Sequence, residues 1–265
     1  MPGRARTSDS GWESSEWLRR MHRSMTAAWR ALGGGSESGG LIERDGVLAA
    51  VEPAVPGRSV FNSVLYDTPE HLAAVRDELA REYDAAGVFA WTVWVPEVDA
   101  ASAELLASAG HKLDATPRAM VLELDNLPRH APGDLDWSRA EAVTELTRVN
   151  DAAYGDAPGT FALGIGDPPP GTWRVYEARL DGRVASVLAT TETDGDCGVW
   201  WVATIPEARG RGLSHDLLRT ALDDARERGM RTSTLQATKM GFPVYERIGY
   251  RDIGGLQMWE YRQPL

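Results

Sequence analysis

The strongest chemical signal in the chain is one stretch near its end, Val202-Ala203-Thr204-Ile205-Pro206-Glu207-Ala208-Arg209-Gly210-Arg211-Gly212-Leu213-Ser214. The residues up to Thr204 predict the end of a strand. A turn with two glycines follows, and an apolar stripe starting at Leu213 predicts a helix. A helix N-terminus leaves backbone N–H groups unpaired and partly positive. Gly210 and Gly212 allow backbone conformations that a side chain forbids, and let an anion come close. Together these features predict a diphosphate cradle. The turn lacks the Gly-Lys-Ser/Thr of a nucleotide P-loop and the three spaced glycines of a dinucleotide site, so another type of phosphate ligand is expected. Between Ile205 and Arg251 lie nine basic and six acidic residues, in a chain whose net charge is −11. Arg209 and Arg211, inside the turn, are expected to contact phosphate. Arg219, Arg226 and Arg228 are expected on a solvated helix face with i,i+4 partners.

The elements that must position this loop are legible from periodicity and punctuation. Trp17–Leu32 reads as an amphipathic helix. Gly46–Val51 and Ser59–Leu65 read as strands. Pro69–Ala86 reads as a helix with Thr68 as N-cap and Pro69 at its first position. Val88–Val95 reads as a buried strand, Ala101–Ala109 as a short helix and Ala119–Leu124 as a strand. The polar, proline-containing segment 125–136 marks a boundary. Beyond it, Ser138–Ala153 reads as a helix and Phe161–Gly171 as a loop. Strands are expected at Trp173–Leu180, Val184–Thr191 and Gly198–Thr204, then a helix at Leu213–Arg228 and a strand at Thr232–Gln236. A short helix at Phe242–Ile248 and strand material at Tyr250–Tyr261 end the chain. Leu105–His111 and Tyr245–Tyr250 share a pattern, a short helix, a glycine and an aromatic ring, which suggests a duplicated unit.

Composition narrows the classes. The 265 residues hold 39 acidic and 28 basic side chains. This argues against a general nucleic-acid binder and against an anionic membrane surface as partner. The longest apolar run, Val88–Val95, is far shorter than the ~20 residues of a membrane helix. Residues 1–15 are polar, carry no signal-peptide core and are expected to be disordered. Cys197 is the single cysteine, so neither an internal disulfide nor a cysteine zinc site is expected; it reads as a structural thiol. A cytoplasmic protein without metal is expected, and the residues specify no oligomeric state.

The motif Arg209-Gly210-Arg211-Gly212-Leu213-Ser214 resembles the Arg/Gln-x-x-Gly-x-Gly/Ala signature of the GNAT superfamily of N-acetyltransferases, with Ser214 in place of Gly or Ala. The preceding Val202–Pro206 and the later Phe242–Tyr250 are similar to the family as well, so the resemblance spans about residues 120–265. It implies an α/β fold, a mixed sheet in two tandem GNAT-like domains, each a mostly antiparallel splayed sheet flanked by helices. Residues 16–125 would be a degenerate copy and 126–265 the acetyl-CoA-binding copy. The resemblance implies acetyl-CoA as co-substrate, with its pyrophosphate on the backbone of Arg209, Gly210, Arg211, Gly212, Leu213 and Ser214. Its pantetheine and acetyl carbonyl would lie along Val202, Ala203 and Thr204. Tyr245 matches the tyrosine that protonates the departing thiolate in the family.

In the first half, the corresponding segment Leu65–Glu70 has no glycine or arginine and carries two acids, so it is expected to repel an anion. The acceptor side is expected to use Tyr154, Phe161, Trp173, Trp200 and Trp201 with the Pro168–Pro170 loop. Alternation sends Trp200 and Trp201 to opposite faces. No general base stands out among Glu177, Glu192, Asp194 and Asp196, and His215 reads as a surface residue. The expected activity is acetyl transfer to a primary amine of a small molecule by direct attack. An acyl-CoA-binding module without turnover and a purely structural protein with a vestigial loop are the alternatives.

Overall fold

Among the described residues, twelve strands join into one sheet. The computed structural model describes residues 11–33, 35–131 and 133–263. The strands are β1 (Gly40–Arg44), β2 (Val47–Val51), β3 (Ser63–Tyr66), β4 (Ala90–Pro96), β5 (Lys112–Ala115), β6 (Arg118–Glu123), β7 (Trp137–Ala140), β8 (Arg174–Leu180), β9 (Arg183–Thr193), β10 (Asp196–Thr204), β11 (Thr232–Ala237) and β12 (Arg251–Arg262). The helices are α1 (Glu16–Gly33), α2 (Pro69–Ala85), α3 (Ala100–Ser108), α4 (Thr144–Tyr154), α5 (Thr160–Ile165), α6 (Leu213–Glu227) and α7 (Phe242–Ile248). The sheet order is β1-β2-β3-β4-β12-β6-β11-β10-β9-β8-β7, with β5 also on β12. Among the described residues no helix is long and apolar enough to cross a membrane.

One sequence of elements occurs twice, as β1-β2-β3-α2-β4-α3-β5 and as β8-β9-β10-α6-β11-α7-β12. In both, the strands flanking the longer helix are parallel: β3 with β4, and β10 with β11. The other neighbours run antiparallel. The sheet is continuous across 125/126. β6 pairs with β11 and with the start of β12, while residues 256–262 of β12 lie against β4. Gly254, at φ +126°, sits at the irregularity where β12 leaves β6.

α1 packs over both halves. Its stripe Met21, Met25, Ala28, Trp29 and Leu32 is buried. The approach is close at Gly198 of β10, where a Cβ would lie 2.4 Å from Ser24 Oγ. α2 starts as expected, with Thr68 Oγ1 accepting from the His71 N–H.

Several local expectations are corrected. Residues 1–10 lie outside the described residues, but 11–14 form a 3₁₀ turn and Trp12 is fully buried. Trp12 packs on His22 at 4.8 Å between ring centroids, so a tertiary contact orders a segment that composition alone reads as disordered. Trp137–Ala140 is a strand on the edge of β8, not the start of a helix, because pairing there supplies backbone partners. Residues 160–165 are a helix, not a loop. Asp151 of α4 caps it, accepting from the N–H groups of Gly159 (2.7 Å) and Phe161 (2.8 Å). The strand expected from Ser59 begins at Ser63, because 58–62 close turns through Phe61 N–H to Arg58 O and Asn62 N–H to Ser59 O. β1 and β5 are additions.

Two outcomes test this packing. Trp12→Ala is expected to lower stability by about 3–5 kcal/mol, read from the urea midpoint. His111 lies between Trp91 and Tyr261 of β12, and burial lowers its pKa from 6.5 to about 4. The unfolded chain therefore takes up a proton that the native ring refuses, and stability falls as pH drops from 6.5 toward 4. His111→Phe is expected to flatten that slope in unfolding curves compared at neutral pH and at about pH 4.5.

Candidate functional site

β10 and β11 pair over three rungs only, Asp196↔Thr232, Cys197↔Ser233 and Gly198↔Thr234. Beyond Gly198 the strands diverge. A bulge in β10 accompanies the divergence: Trp200 opposes Ala189 and Ala203 opposes Val187, so Trp201 and Val202 share one partner position on β9. Trp201 has φ +54°, a conformation rare for a bulky residue. The buried Asn150 of α4 braces the bulge, its carboxamide N–H donating to Trp201 O at 3.2 Å. Past it, Ser186 Oγ donates to Ala203 O at 3.1 Å. The bulge also alters the expected alternation, because Trp200 and Trp201 both reach the same cavity.

The loop after β10 takes the expected form. Gly210 and Gly212 have φ +76° and +80°. A Cβ on Gly210 would meet nothing within 4 Å, so conformation and not crowding demands glycine there. Gly212 is the N-cap of α6 and makes no side-chain cap. Arg209 N–H donates to Pro206 O and Asp216 N–H to Gly212 O. The N–H groups of 210–215 lie between them, at a helix start with no intrahelical acceptor. The Arg209 side chain departs from expectation. Its guanidinium donates to Thr204 O (3.2 Å) and Ala153 O (2.7 Å), so it fastens the loop to β10 and α4. Arg211 is exposed at the cavity and has no ion-pair partner among the described residues.

The diverging strands, this loop and α7 enclose a cavity of about 530 Å³. Val202, Ala203, Thr204, Arg209, Gly210, Arg211, Gly212, Leu213, Ser214 and Tyr245 all line it. Tyr245 is nearly buried, with its ring 6.0 Å from that of Tyr250. Burial, and then the neighbouring Tyr154, push its phenol above the usual range, so it stays protonated at neutral pH. A Cβ on Gly241 would lie 2.9 Å from Tyr245 Cε2; this glycine leaves room for the ring.

Residues 172–253 match the family model described as the acetyltransferase (GNAT) domain. Over those residues the chain carries a GNAT acetyltransferase domain. Solved structures agree on the fold. A GCN5-related N-acetyltransferase from Kribbella flavida has TM-score 0.67 at 18% identity, over 92% of this chain and 95% of that one. A putative acetyltransferase of the GNAT family from Novosphingobium aromaticivorans has TM-score 0.57 at 20% identity, over 92% and 99%. A tandem GNAT protein from the clavulanic acid biosynthesis pathway has TM-score 0.54 at 15% identity, over 83% and 79%. No curated protein sequence matches this chain.

The far wall of the GNAT domain's cavity comes from residues that sequence reasoning missed. Trp29, Arg58, Val60, Trp94 and Pro117, all from the first half, line it with Tyr154, Phe161, Trp200 and Trp201. Nothing local marks them, because the sheet brings them in from across the chain. Trp173 is instead packed behind Trp200, and Pro168–Pro170 are not on the wall.

Other side chains have structural partners. Arg226 donates to Leu124 O and also bonds Asp223, and Arg228 bonds Glu192 and Asp224. Glu177 pairs with Arg179 and Asp194 with Arg23. His215 Nδ1 lies 2.8 Å from Asp216 Oδ1, off the cavity wall. Cys197 is fully buried, and burial pushes its thiol up. In the first half, the Thr68 cap occupies a donor at the start of α2.

Gly212→Ala is expected to strain the loop by about 1–2 kcal/mol, since φ +80° is unfavourable with a Cβ. The variant should bind CoA about tenfold more weakly by calorimetry, a change of about 1.4 kcal/mol.

Proposed function

We propose that the protein is an acetyl-CoA-dependent N-acetyltransferase acting on a primary amine of a small molecule. One observation carries this reading: a single cavity joins the positive-φ loop at the N-terminus of α6, the unpaired edge of β10 and the Tyr245 phenol. GNAT acetyltransferases use acetyl-CoA as co-substrate. In this reading the N–H groups of 210–214, with Arg211, hold the pyrophosphate at the helix N-terminus, while the Arg209 N–H is taken by Pro206 O. The backbone of Val202–Thr204 receives the pantetheine and orients the acetyl carbonyl, whose oxyanion a backbone N–H stabilises. The amine nitrogen attacks the thioester carbon. A C–N bond forms and the C–S bond breaks. The nitrogen loses a proton to water, the thiolate takes one from Tyr245, and solvent returns it to the phenol. No covalent enzyme intermediate is needed. A cavity closed by aromatic rings from two halves of the chain favours a small molecule over a folded protein.

We also propose that residues 16–125 are a degenerate GNAT-like copy and 126–265 the donor-binding copy, which exchange strands β6 and β12. The repeated element order and the likeness to a tandem GNAT protein support this. In this reading the protein acts in the cytoplasm, where acetyl-CoA is available.

Tyr245→Phe is expected to lower kcat by about 100-fold, measured as thiol release. CoA should still stabilise the variant, by about 2.7 kcal/mol at 100 times its Kd. Unchanged turnover removes the acid role from Tyr245. Stabilisation without thiol release from any amine identifies a binding module.

A further inference from the structure

The acceptor half of the cavity has a distinct chemistry. Its wall is built from indole and phenyl rings: Trp29 packs edge-on against Trp94 (5.7 Å) and Trp200 (5.4 Å), and Trp201 against Phe161 (5.0 Å). Among the described residues, the charged side chains lining the cavity are three arginines, Arg58, Arg209 and Arg211. Among the described residues no carboxylate, imidazole, lysine or thiol lines it. Arg58 is bound to Asp156 at 2.6 Å, and Arg209 is bound to two carbonyl oxygens.

We propose that the acceptor is a flat, apolar aromatic amine whose nitrogen is only weakly basic, an arylamine, and not a polyamine or other alkylammonium compound. This rests on the acetyltransferase reading above. An alkyl amine resembles a lysine side chain, with a pKa of about 10.4, and is almost fully protonated at neutral pH. It would find no carboxylate on the lining to pair with, since Asp156 is taken by Arg58, and no lining side chain would take its proton. An arylamine enters as the free base. It can present its lone pair to the thioester at once, and its ring stacks on the aromatic wall. A proton leaves nitrogen only after the C–N bond has formed, when the nitrogen is acidic enough to release it to water. That proton is balanced by the one that the thiolate takes from Tyr245, so the products are the arylamide and free CoA.

The test is thiol release from acetyl-CoA by the full chain with 4-methoxyaniline, 2-phenylethylamine and spermidine, alongside calorimetric titration of each amine into the CoA-loaded protein. The arylamine is expected to exceed both alkyl amines in kcat/KM by at least about tenfold. Its rate should stay level from about pH 6 to about pH 9, while any alkyl-amine rate climbs. Calorimetry should detect the arylamine and not spermidine. Val60→Glu, which places a carboxylate on the half-buried acceptor wall, is expected to shift the arylamine-to-spermidine ratio at least about tenfold toward spermidine. If that variant does not fold, the wild-type panel alone decides. Equal or faster turnover of either alkyl amine overturns the proposal. CoA binding with no amine turned over also overturns it but leaves the donor site standing. If CoA neither binds nor stabilises the protein, the acetyltransferase reading itself fails.

Discussion

Asp196 is a carboxylate buried at the first rung of the β10–β11 pair, and the cavity depends on how it is held. Its two oxygens accept from Thr232 Oγ1 and Thr234 Oγ1, each at 2.7 Å. Ser233 Oγ, between them, donates to Cys197 O at 2.7 Å. Burial raises the Asp196 pKa, and the hydroxyls pull against that rise. Hydrogen bonds to a charged group contribute about 1.5–3 kcal/mol each, which offsets part of the desolvation. The staple locks three rungs together. The divergence that follows has a fixed origin, and the bulge at Trp201 turns the free edge of β10 away from β11. A sheet paired along its whole length would leave no backbone for a ligand to pair with.

The rest of the molecule holds that opening in place. α1 lies across the stapled end, admitted by Gly198, and contributes Trp29 to the cavity. Asn150 binds a backbone carbonyl in the bulge and Ser186 one just past it. Arg209 ties the glycine loop back to β10 and α4, so its guanidinium is engaged by backbone carbonyls. β6 and β12 lie side by side between β4 and β11 and so join the two halves of the chain into one sheet.

Much of the donor side was legible because it is local. Gly210 and Gly212 need positive φ, and glycine is the residue that supplies it at no steric penalty. The stripe of α6 and the cap of α2 follow from spacing and from a single side chain. What misled local reading was backbone satisfied at a distance. Ser138–Ala140 reads as the start of a helix but completes a sheet edge with Trp137, and residues 160–165 are helical because Asp151 caps them from another helix. Trp12 looks like part of a loose tail but is covered on all sides.

The sequence by itself determined a strand–glycine loop–helix unit with its two glycines at positive φ, and a tyrosine placed after the next strand. Both are encoded within a few dozen residues, where spacing and conformational preference are sufficient. Only the tertiary structure decided which arginine is left for a ligand and where the sheet opens. It also brought Trp29, Arg58 and Trp94 to the cavity that Tyr245 lines. Those outcomes rest on contacts between different elements, from Arg209 with Ala153 to Trp29 with Trp200, and no periodicity or motif records which distant side chain will meet which backbone carbonyl.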